Sequence, residues 1–458
     1  MRFWGNKLET PRNLALLVLN KQAHKFITAD TCLEDIFRQN PKLNQRDRAF
    51  LVHLVQGVLR WQRRLDWIIE QSSDFPIKKI TSPVLNILRL ALYQIYYMDR
   101  VPESAAVNEA VNQAKKSGAR YIVSYVNGIL RNICKKKDDV DFPDPDANLV
   151  LYLSVFYAYP EWLVDKWLNE WGRDFTEELL WAENRVPSLT IRVNRLRLGR
   201  TALIKQLEEE GVRGRQTYFS PDGILLEDFK GRIDELASFR KGLFQVQDEA
   251  AQITSHILNP RPGQVILDVC AGLGGKSSHL AELMADKGQV LALDINLQRL
   301  VSLVKNSKRL SIKGIQPFVA DASGSLSSHL RSKFDGIVVD APCSGLGVLS
   351  RHPDGKWHRT EGDIRRLAVV QEMILNEAAF LLKTGGKMLY VTCTISREEN
   401  EEVVQRCLAK NRDLRLENIK DHAPEWGHVL VDKDGFLRTF PHEHHMDGFF
   451  SALFMKKD

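Results

Sequence analysis

The chain of 458 residues is longer than a single hydrophobic core usually serves, so two or three domains are expected. Its 44% hydrophobic and 27% charged residues are the mixture of a folded globular protein, which excludes wholesale disorder. A net charge of +6 suits a polyanionic partner through counterion release without demanding one.

Six cysteines (Cys32, Cys134, Cys270, Cys343, Cys393 and Cys407) are scattered, and no Cys-x-x-Cys occurs. Free thiols in a reducing cytosol are expected, with neither a disulfide framework nor a metal site. No apolar run is long enough to span a bilayer, and Glu9 and Pro11 interrupt any signal-peptide core, so the cytoplasm is the expected location.

The first third reads as amphipathic helices. Asn44 and Asp47 open one whose apolar stripe takes in Leu51, Leu54, Val55, Val58, Leu65 and Ile68. Ser82 as cap and Pro83 in the first turn open another, with Val84, Ile87, Leu88, Ala91, Leu92 and Ile95 at helical spacing. Residues 103–116 and 122–134 are two more, and together they predict an all-α bundle over 1–140. Lysines followed by alternating Asp and Pro, from Lys135 to Asp146, mark a linker over 141–158. Residues 159–244 read as a small α+β domain, with a Trp-rich helix over 159–172, strands over 189–193 and 223–226, and a helix over 201–210. Over 245–458, apolar runs at 265–269, 290–293, 316–319, 336–339 and 388–391 alternate with helical stretches. That pattern predicts an open, mostly parallel α/β sheet covered on both faces.

Chemistry concentrates beyond the carboxyl ends of those runs, where such sheets hold their ligands. Asp268-Val269-Cys270-Ala271-Gly272-Leu273-Gly274-Gly275-Lys276 closes the first strand and opens a helix. Its glycines admit a ligand to the backbone, and the helix start offers unpaired N–H groups. Cys270 stands where a Walker A loop needs glycine, which disfavours a nucleoside triphosphate; on this motif alone a dinucleotide stays open. Asp294 ends the second strand, placed for both hydroxyls of an adenosine ribose, and Asp321 follows the third, placed for an adenine amino group. Asp340-Ala-Pro-Cys343 follows the fourth and Thr392-Cys393-Thr394 the fifth, bringing a carboxylate and two thiols to one edge. Carbon 5 of cytosine is a poor nucleophile. A thiolate added at C6 turns the ring into an enamine whose C5 can take a methyl group, chemistry that needs a Cys and a nearby acid. Position alone does not choose which thiol attacks.

Asp340-Ala-Pro-Cys-Ser-Gly-Leu-Gly-Val348, with Arg351-His-Pro353 and Trp357, resembles the fourth motif of the RNA cytosine-5 methyltransferases, the NOL1/NOP2/Sun family. Thr392-Cys-Thr394 with Glu398-Glu-Asn-Glu401 is similar to their sixth motif, and Asp447-Gly-Phe-Phe450 to their closing strand. The resemblance implies a Rossmann-like, S-adenosylmethionine-dependent methyltransferase domain. Cys393 would be the nucleophile, Cys343 would assist release of the covalent adduct, and Asp340 would contact the cytosine or the amino end of the cofactor. Cys270 to Lys276, with Asp294 and Asp321, would hold S-adenosylmethionine. One position departs: the family's loop usually reads Ala-x-Pro-Gly-Gly-Lys, and Leu273 replaces the proline and its fixed φ.

The N-terminal third resembles the RNA-binding helical domain of NusB, through Asp47-Arg48, Gly57-Val-Leu-Arg60, Arg89-Leu-Ala-Leu-Tyr93, Val101-Pro102, Asn108-Glu-Ala-Val111 and Val126-Asn-Gly-Ile-Leu130. The middle segment (Pro160-Glu-Trp162, Leu189 to Asn194, Val246-Gln-Asp248) is similar to the RNA-recognition-like region preceding the family's catalytic domain. Together they imply the bacterial branch that modifies 16S rRNA, with cytosine 967 as its target. The expected partner is then 16S rRNA, naked or in an early small-subunit particle, with no DNA and no membrane. A tRNA or another rRNA cytosine is the alternative substrate. A non-catalytic RNA-binding assembly protein is the alternative outside enzymes, and it would have no use for Cys393, Cys343 and Asp340. Arg60, Arg63, Arg64, Lys115, Lys116, Arg120 and Lys135 to Lys137 are candidates for a phosphate-binding face. His442, His444 and His445 read as exposed turn residues rather than metal ligands. Trp162, Trp167 and Trp171 read as core or an inter-domain contact rather than base-stacking platforms.

Overall fold

The side chain of Asn44 accepts the Asp47 N–H at 2.8 Å and so starts a 28-residue helix, Gln45–Ser72, which organises the N-terminal region. The computed structural model describes residues 10–457 except 25, 26, 117, 325, 327–329, 331 and 332. The helices Pro11–His24, Ala29–Gln39, Ser82–Tyr97, Glu103–Lys115 and Arg120–Lys135 complete the bundle. Every residue of the apolar stripe from Leu51 to Ile68 is buried in its core. Gly57 sits where helices meet: a Cβ there would lie 1.9 Å from the Tyr93 ring. Thr81 rather than Ser82 occupies the cap position of the helix that carries Pro83.

Part of the expected linker is helical, over Leu149–Tyr157, because Leu149 to Leu151 and Leu153 to Tyr157 are almost all apolar and Asn148 caps them. The Trp-rich stretch forms Glu161–Trp171, followed by Arg173–Glu183, and Trp167 is fully buried beside Tyr159. These helices belong to the first of two units. That unit takes the described residues up to Arg185 together with Leu349–His358, a segment from far along the chain. The ammonium of Lys356 is fully buried there: it donates to Asn184 Oδ1 at 2.7 Å and lies 3.5 Å from the Tyr159 ring centre. The Trp357 indole donates to the Leu59 carbonyl at 2.6 Å, and Arg60 donates to the Ser350 carbonyl. Arg60, expected on a phosphate-binding face, is therefore internal. Burial holds the Lys356 ammonium well below its ordinary pKa and raises that of buried Glu183, which accepts the Ser350 N–H, to about 7.

The second unit takes the described residues of Val186–Val348 and those from Arg359 onward. Its small sheet consists of β1 (Leu189–Val193), β2 (Gly214–Gln216), β3 (Gly223–Leu226) and β4 (Phe244–Val246), in the order β2-β3-β1-β4. The sheet thus runs past residue 244, since Ile191 pairs with Val246. The large sheet contains β5 (Val265–Val269), β6 (Gln289–Asp294), β7 (Ile315–Val319), β8 (Phe334–Asp340), β9 (Leu382–Thr392), β10 (Leu414–Glu417), β11 (Leu437–Thr439) and β12 (Phe449–Lys456). Its order is β10-β12-β9-β8-β5-β6-β7, with β11 beside β12. Strands β5 to β9 pair in parallel, as the apolar runs predict, and β10 to β12 close the edge in antiparallel fashion. The chain leaves β5 toward β6 on one side and returns to β8 on the other. Such a switch point opens a crevice beyond the strand ends.

Deleting residues 1–140 removes Leu59 and Arg60 and uncovers Lys356 and Trp357. The truncated protein should melt roughly 5 °C or more below the full chain and self-associate, as read by differential scanning fluorimetry and light scattering. An unchanged melting point and a monomeric product would show that Leu349–His358 folds without the bundle.

Candidate active site

The loop after β5 is built for close approach. Cys270, Gly272 and Gly274 have φ of +66°, +57° and +83°, and a Cβ on Gly274 would sit 2.6 Å from Leu303 Cγ. The Ala271 N–H donates to the Leu293 carbonyl at 2.7 Å, and the Gly272 N–H to Asp294 Oδ2 at 2.8 Å, so the second strand anchors the loop of the first. The other oxygen of Asp294 accepts the Asn296 N–H at 2.8 Å, and each oxygen keeps a further lone pair. Asp321 accepts from the Ser323 N–H and hydroxyl at 2.9 and 2.7 Å, which holds its carboxyl below the usual range. A cavity of about 250 Å³ lies among these groups, lined by Cys270, Asp294, Ile295, Asp321, Pro342 and Ile374.

Two acids behave differently. Asp340, at the end of β8, is tied to Lys276 Nζ at 2.7 Å, and Lys276 itself is 9% exposed beside the Phe449 ring. Asp268, inside β5, is fully buried; one oxygen accepts the Ser277 hydroxyl at 2.5 Å and the other has no hydrogen-bond partner. Burial raises its carboxyl to about 7. Asp268 opens the loop motif read from the sequence, which gave it no role of its own.

Cys343 and Cys393 come together with their sulfurs 3.3 Å apart. The loops that carry them are fastened by one buried acid. Glu399 accepts the Ser344 N–H at 2.8 Å, the Ser344 hydroxyl, and the Gln371 amide at 3.0 Å, while Gln371 also donates to the Pro342 carbonyl. The Ser344 and Thr394 hydroxyls meet at 2.9 Å, and Asn400 donates to the Thr394 carbonyl. The Cys343 thiol is pushed well up by its contact with Cys393 and by burial, with Glu399 as the nearby charge. Asp340, three residues before Cys343, is turned to Lys276 instead. The closing motif completes the floor: Gly448 donates to the Gly347 carbonyl at 2.7 Å, so near that neither residue has room for a side chain.

Three segments match described protein families. Residues 255–455 match the 16S rRNA methyltransferase RsmB/F, residues 9–135 the NusB family, and residues 159–231 the RsmF/B-like ferredoxin-like domain. The "probable ribosomal RNA small subunit methyltransferase B" of Synechocystis sp. is 36% identical over 97% of this chain and 99% of its own length. The chain belongs to the RsmB/F family. The Bacillus subtilis protein of the same description is 34% identical over 98% of the chain and all of the relative. Among solved structures, "PH0851" superposes with a TM-score of 0.79 at 26% identity, covering 99% of this chain and all of that one. NSun6 from Pyrococcus horikoshii, solved "with SFG", superposes at 0.59 with 25% identity over 66% of this chain and all of that one. The protein is an S-adenosylmethionine-dependent rRNA methyltransferase, with an all-helical NusB region, a ferredoxin-like region and a Rossmann-like catalytic sheet.

One expectation changes here. His442 and His444 are not exposed turn residues: their side chains are 4% and 16% exposed, and His444 Nδ1 accepts the Phe440 N–H at 3.0 Å. The proximity of Glu399 and Asn400 to the cysteines was hidden in the sequence, where only the likeness of the Glu398 to Glu401 motif pointed to them. Among the described residues no helix is long and apolar enough to cross a membrane.

The raised carboxyl of Asp268 sets a sign. In the folded chain it keeps its proton where the unfolded chain has lost it, so its contribution to stability is full below 3.8 and is lost as pH rises to about 7. Asp268→Asn should therefore gain melting temperature relative to the wild type across that interval, in thermal scans at stepped pH. Parallel profiles would mean that the carboxyl is ionised throughout.

Proposed function

We propose that this chain methylates carbon 5 of a cytosine in 16S rRNA, cytosine 967 by family resemblance, through a covalent bond between Cys393 and C6 of the base. The observation that carries the reading is the pair of thiols 3.3 Å apart beyond adjacent strands of a methyltransferase sheet. The 250 Å³ cavity, the glycine cradle and the oxygens of Asp294 and Asp321 suit an adenosine-bearing cofactor. In this reading Cys270 to Lys276 lie along it, Asp294 takes the ribose and Asp321 the adenine. S-adenosylmethionine, when bound, supplies the methyl group.

The protein's own groups do the rest. Cys393 adds its sulfur to C6, which places the electron pair on C5. The Cys343 thiol, whose pKa is pushed up by its contact with Cys393 and by burial, lies 3.3 Å from the Cys393 sulfur, within reach to donate S–H when that sulfur leaves. After methylation a water molecule takes the C5 proton, the C–H electron pair restores the C5–C6 double bond, and the C6–S bond breaks with its pair on the Cys393 sulfur, which the Cys343 S–H receives as a hydrogen-bond donor. Asp340, held by Lys276, remains an acceptor for an amino group of the cytosine or of the cofactor. Residues 1–140 would bind RNA, residues 159–244 would assist recognition, residues 245–458 would carry the chemistry, and the reaction would take place in the cytoplasm on naked 16S rRNA or an early particle.

Cys393→Ala should abolish methylation and leave S-adenosylmethionine affinity within about twofold. Cys343→Ala should form the protein–RNA bond without resolving it, so an adduct survives denaturing electrophoresis, and the double variant should show none. An adduct with Cys393→Ala and none with Cys343→Ala would exchange the two roles. Asp294→Ala should weaken the cofactor about ten- to a hundredfold by calorimetry, the worth of a charged hydrogen bond; unchanged binding would remove the ribose role.

A further inference from the structure

The helix Gly275–Leu283 begins at the loop just assigned to the cofactor, and one of its faces is gripped by charges from the small sheet. Arg192, on β1, is fully buried. Its Nη1 donates to the Gly275 carbonyl at 2.8 Å, and its Nη2 to the Ser278 hydroxyl at 3.0 Å and to Glu282 Oε1 at 2.8 Å. It also donates to Gln247, just after β4. One helical turn of the same face is held again: Asp222, entering β3, accepts from His279 Nε2 at 3.0 Å and from His256 Nε2 at 2.7 Å. Residues 275, 278, 279 and 282 share a face by their spacing.

Apolar side chains would bury this face at less cost in desolvation, since a buried ion pair is seldom worth more than well-packed hydrophobes. What a guanidinium adds is direction: its fixed fork sets the helix in one rotation and one height against the sheet. The need is local. Leu273, where the resembling family carries proline, is 61% exposed, and within the loop its turn is closed by one backbone hydrogen bond, from the Gly274 N–H to the Ala271 carbonyl at 2.9 Å.

We propose that Arg192 is a positioning residue for S-adenosylmethionine binding: by holding the Gly275 carbonyl it sets the cofactor loop from outside, which makes the small α+β sheet a working part of the cofactor site. This rests on the loop Cys270 to Lys276 being where the cofactor lies. The Asp222–His256–His279 group, whose side chains are of metal-ligand type, serves the same clasp: the carboxylate takes a hydrogen bond from each ring, and Arg195 stands 3.6 Å from its other oxygen.

The test uses the full chain. Arg192→Met with Glu282→Leu removes both charges and leaves no buried ion alone. It should keep the melting point within a few degrees, raise the S-adenosylmethionine Kd about tenfold by calorimetry without RNA, and raise KM for the cofactor while kcat at saturation changes less than about twofold. Glu282→Gln, which leaves the Gly275 contact in place, should bind the cofactor as the wild type does. A folded double variant with wild-type affinity overturns the proposal. If the double variant does not fold, Arg192→Lys decides, because an ammonium cannot reach Gly275 and Glu282 together; unchanged affinity there also overturns it. Asp294→Ala separates the two readings: if it binds the cofactor normally the loop assignment fails, whereas weak binding there with normal binding in the Arg192 variants sinks only the inference.

Discussion

Parallel pairing of β8 with β9 sets Asp340 opposite Val391, and the meeting of the two cysteines depends on that register. Each strand runs only a few residues further before its cysteine, so pairing the strands is enough to bring two thiols from positions fifty apart in the sequence to the same edge. A slip of one residue would turn alternate side chains to the other face and part them. The strands do not finish the job alone. Glu399, reaching back from the segment after β9, binds the backbone and hydroxyl of Ser344, and this ties the first cysteine loop to the second. The acid is buried at a cost that its several donors offset, and that requirement explains why Ser, Gln and Thr surround it.

Much of the architecture was legible in the sequence because it rests on periodicity. The five apolar runs of the catalytic region became β5 to β9, and the stripe from Leu51 to Ile68 became the centre of the bundle. Glycine and acid at the strand ends were visible as candidates because such sheets hold ligands there, although in the fold Asp294 and Asp321 also accept backbone N–H groups of the loops around them. What stayed hidden were polar groups whose meaning lies in distant partners. Arg192 in a short strand reads as one outward charge in an alternating pattern, yet it is fully buried because Glu282, ninety residues on, meets it. Arg60 looked like a member of a cationic face for the same reason, and its acceptor is the Ser350 carbonyl. Periodicity reports which face is apolar; it does not report a buried ion with a remote counter-ion.

The electrostatics of the catalytic edge show how near neighbours in sequence can mislead. Asp340 is three residues from Cys343, which suggests that it sets the state of that thiol. In the fold its carboxylate is taken by Lys276, and Cys343 is pushed up first by its contact with Cys393 and by burial, with Glu399 a lesser charge.

The ten residues Leu349–His358, which complete the helical unit from far downstream, bear on how the chain is made. During synthesis the bundle emerges first, with the places for Lys356 and Trp357 still open. At about 5–20 residues per second the missing piece arrives on the order of ten seconds or more later. Vectorial folding, in which an N-terminal domain closes before the rest appears, therefore leaves this unit one segment short. The places of Lys356 and Trp357 stay accessible until most of the downstream chain has left the ribosome.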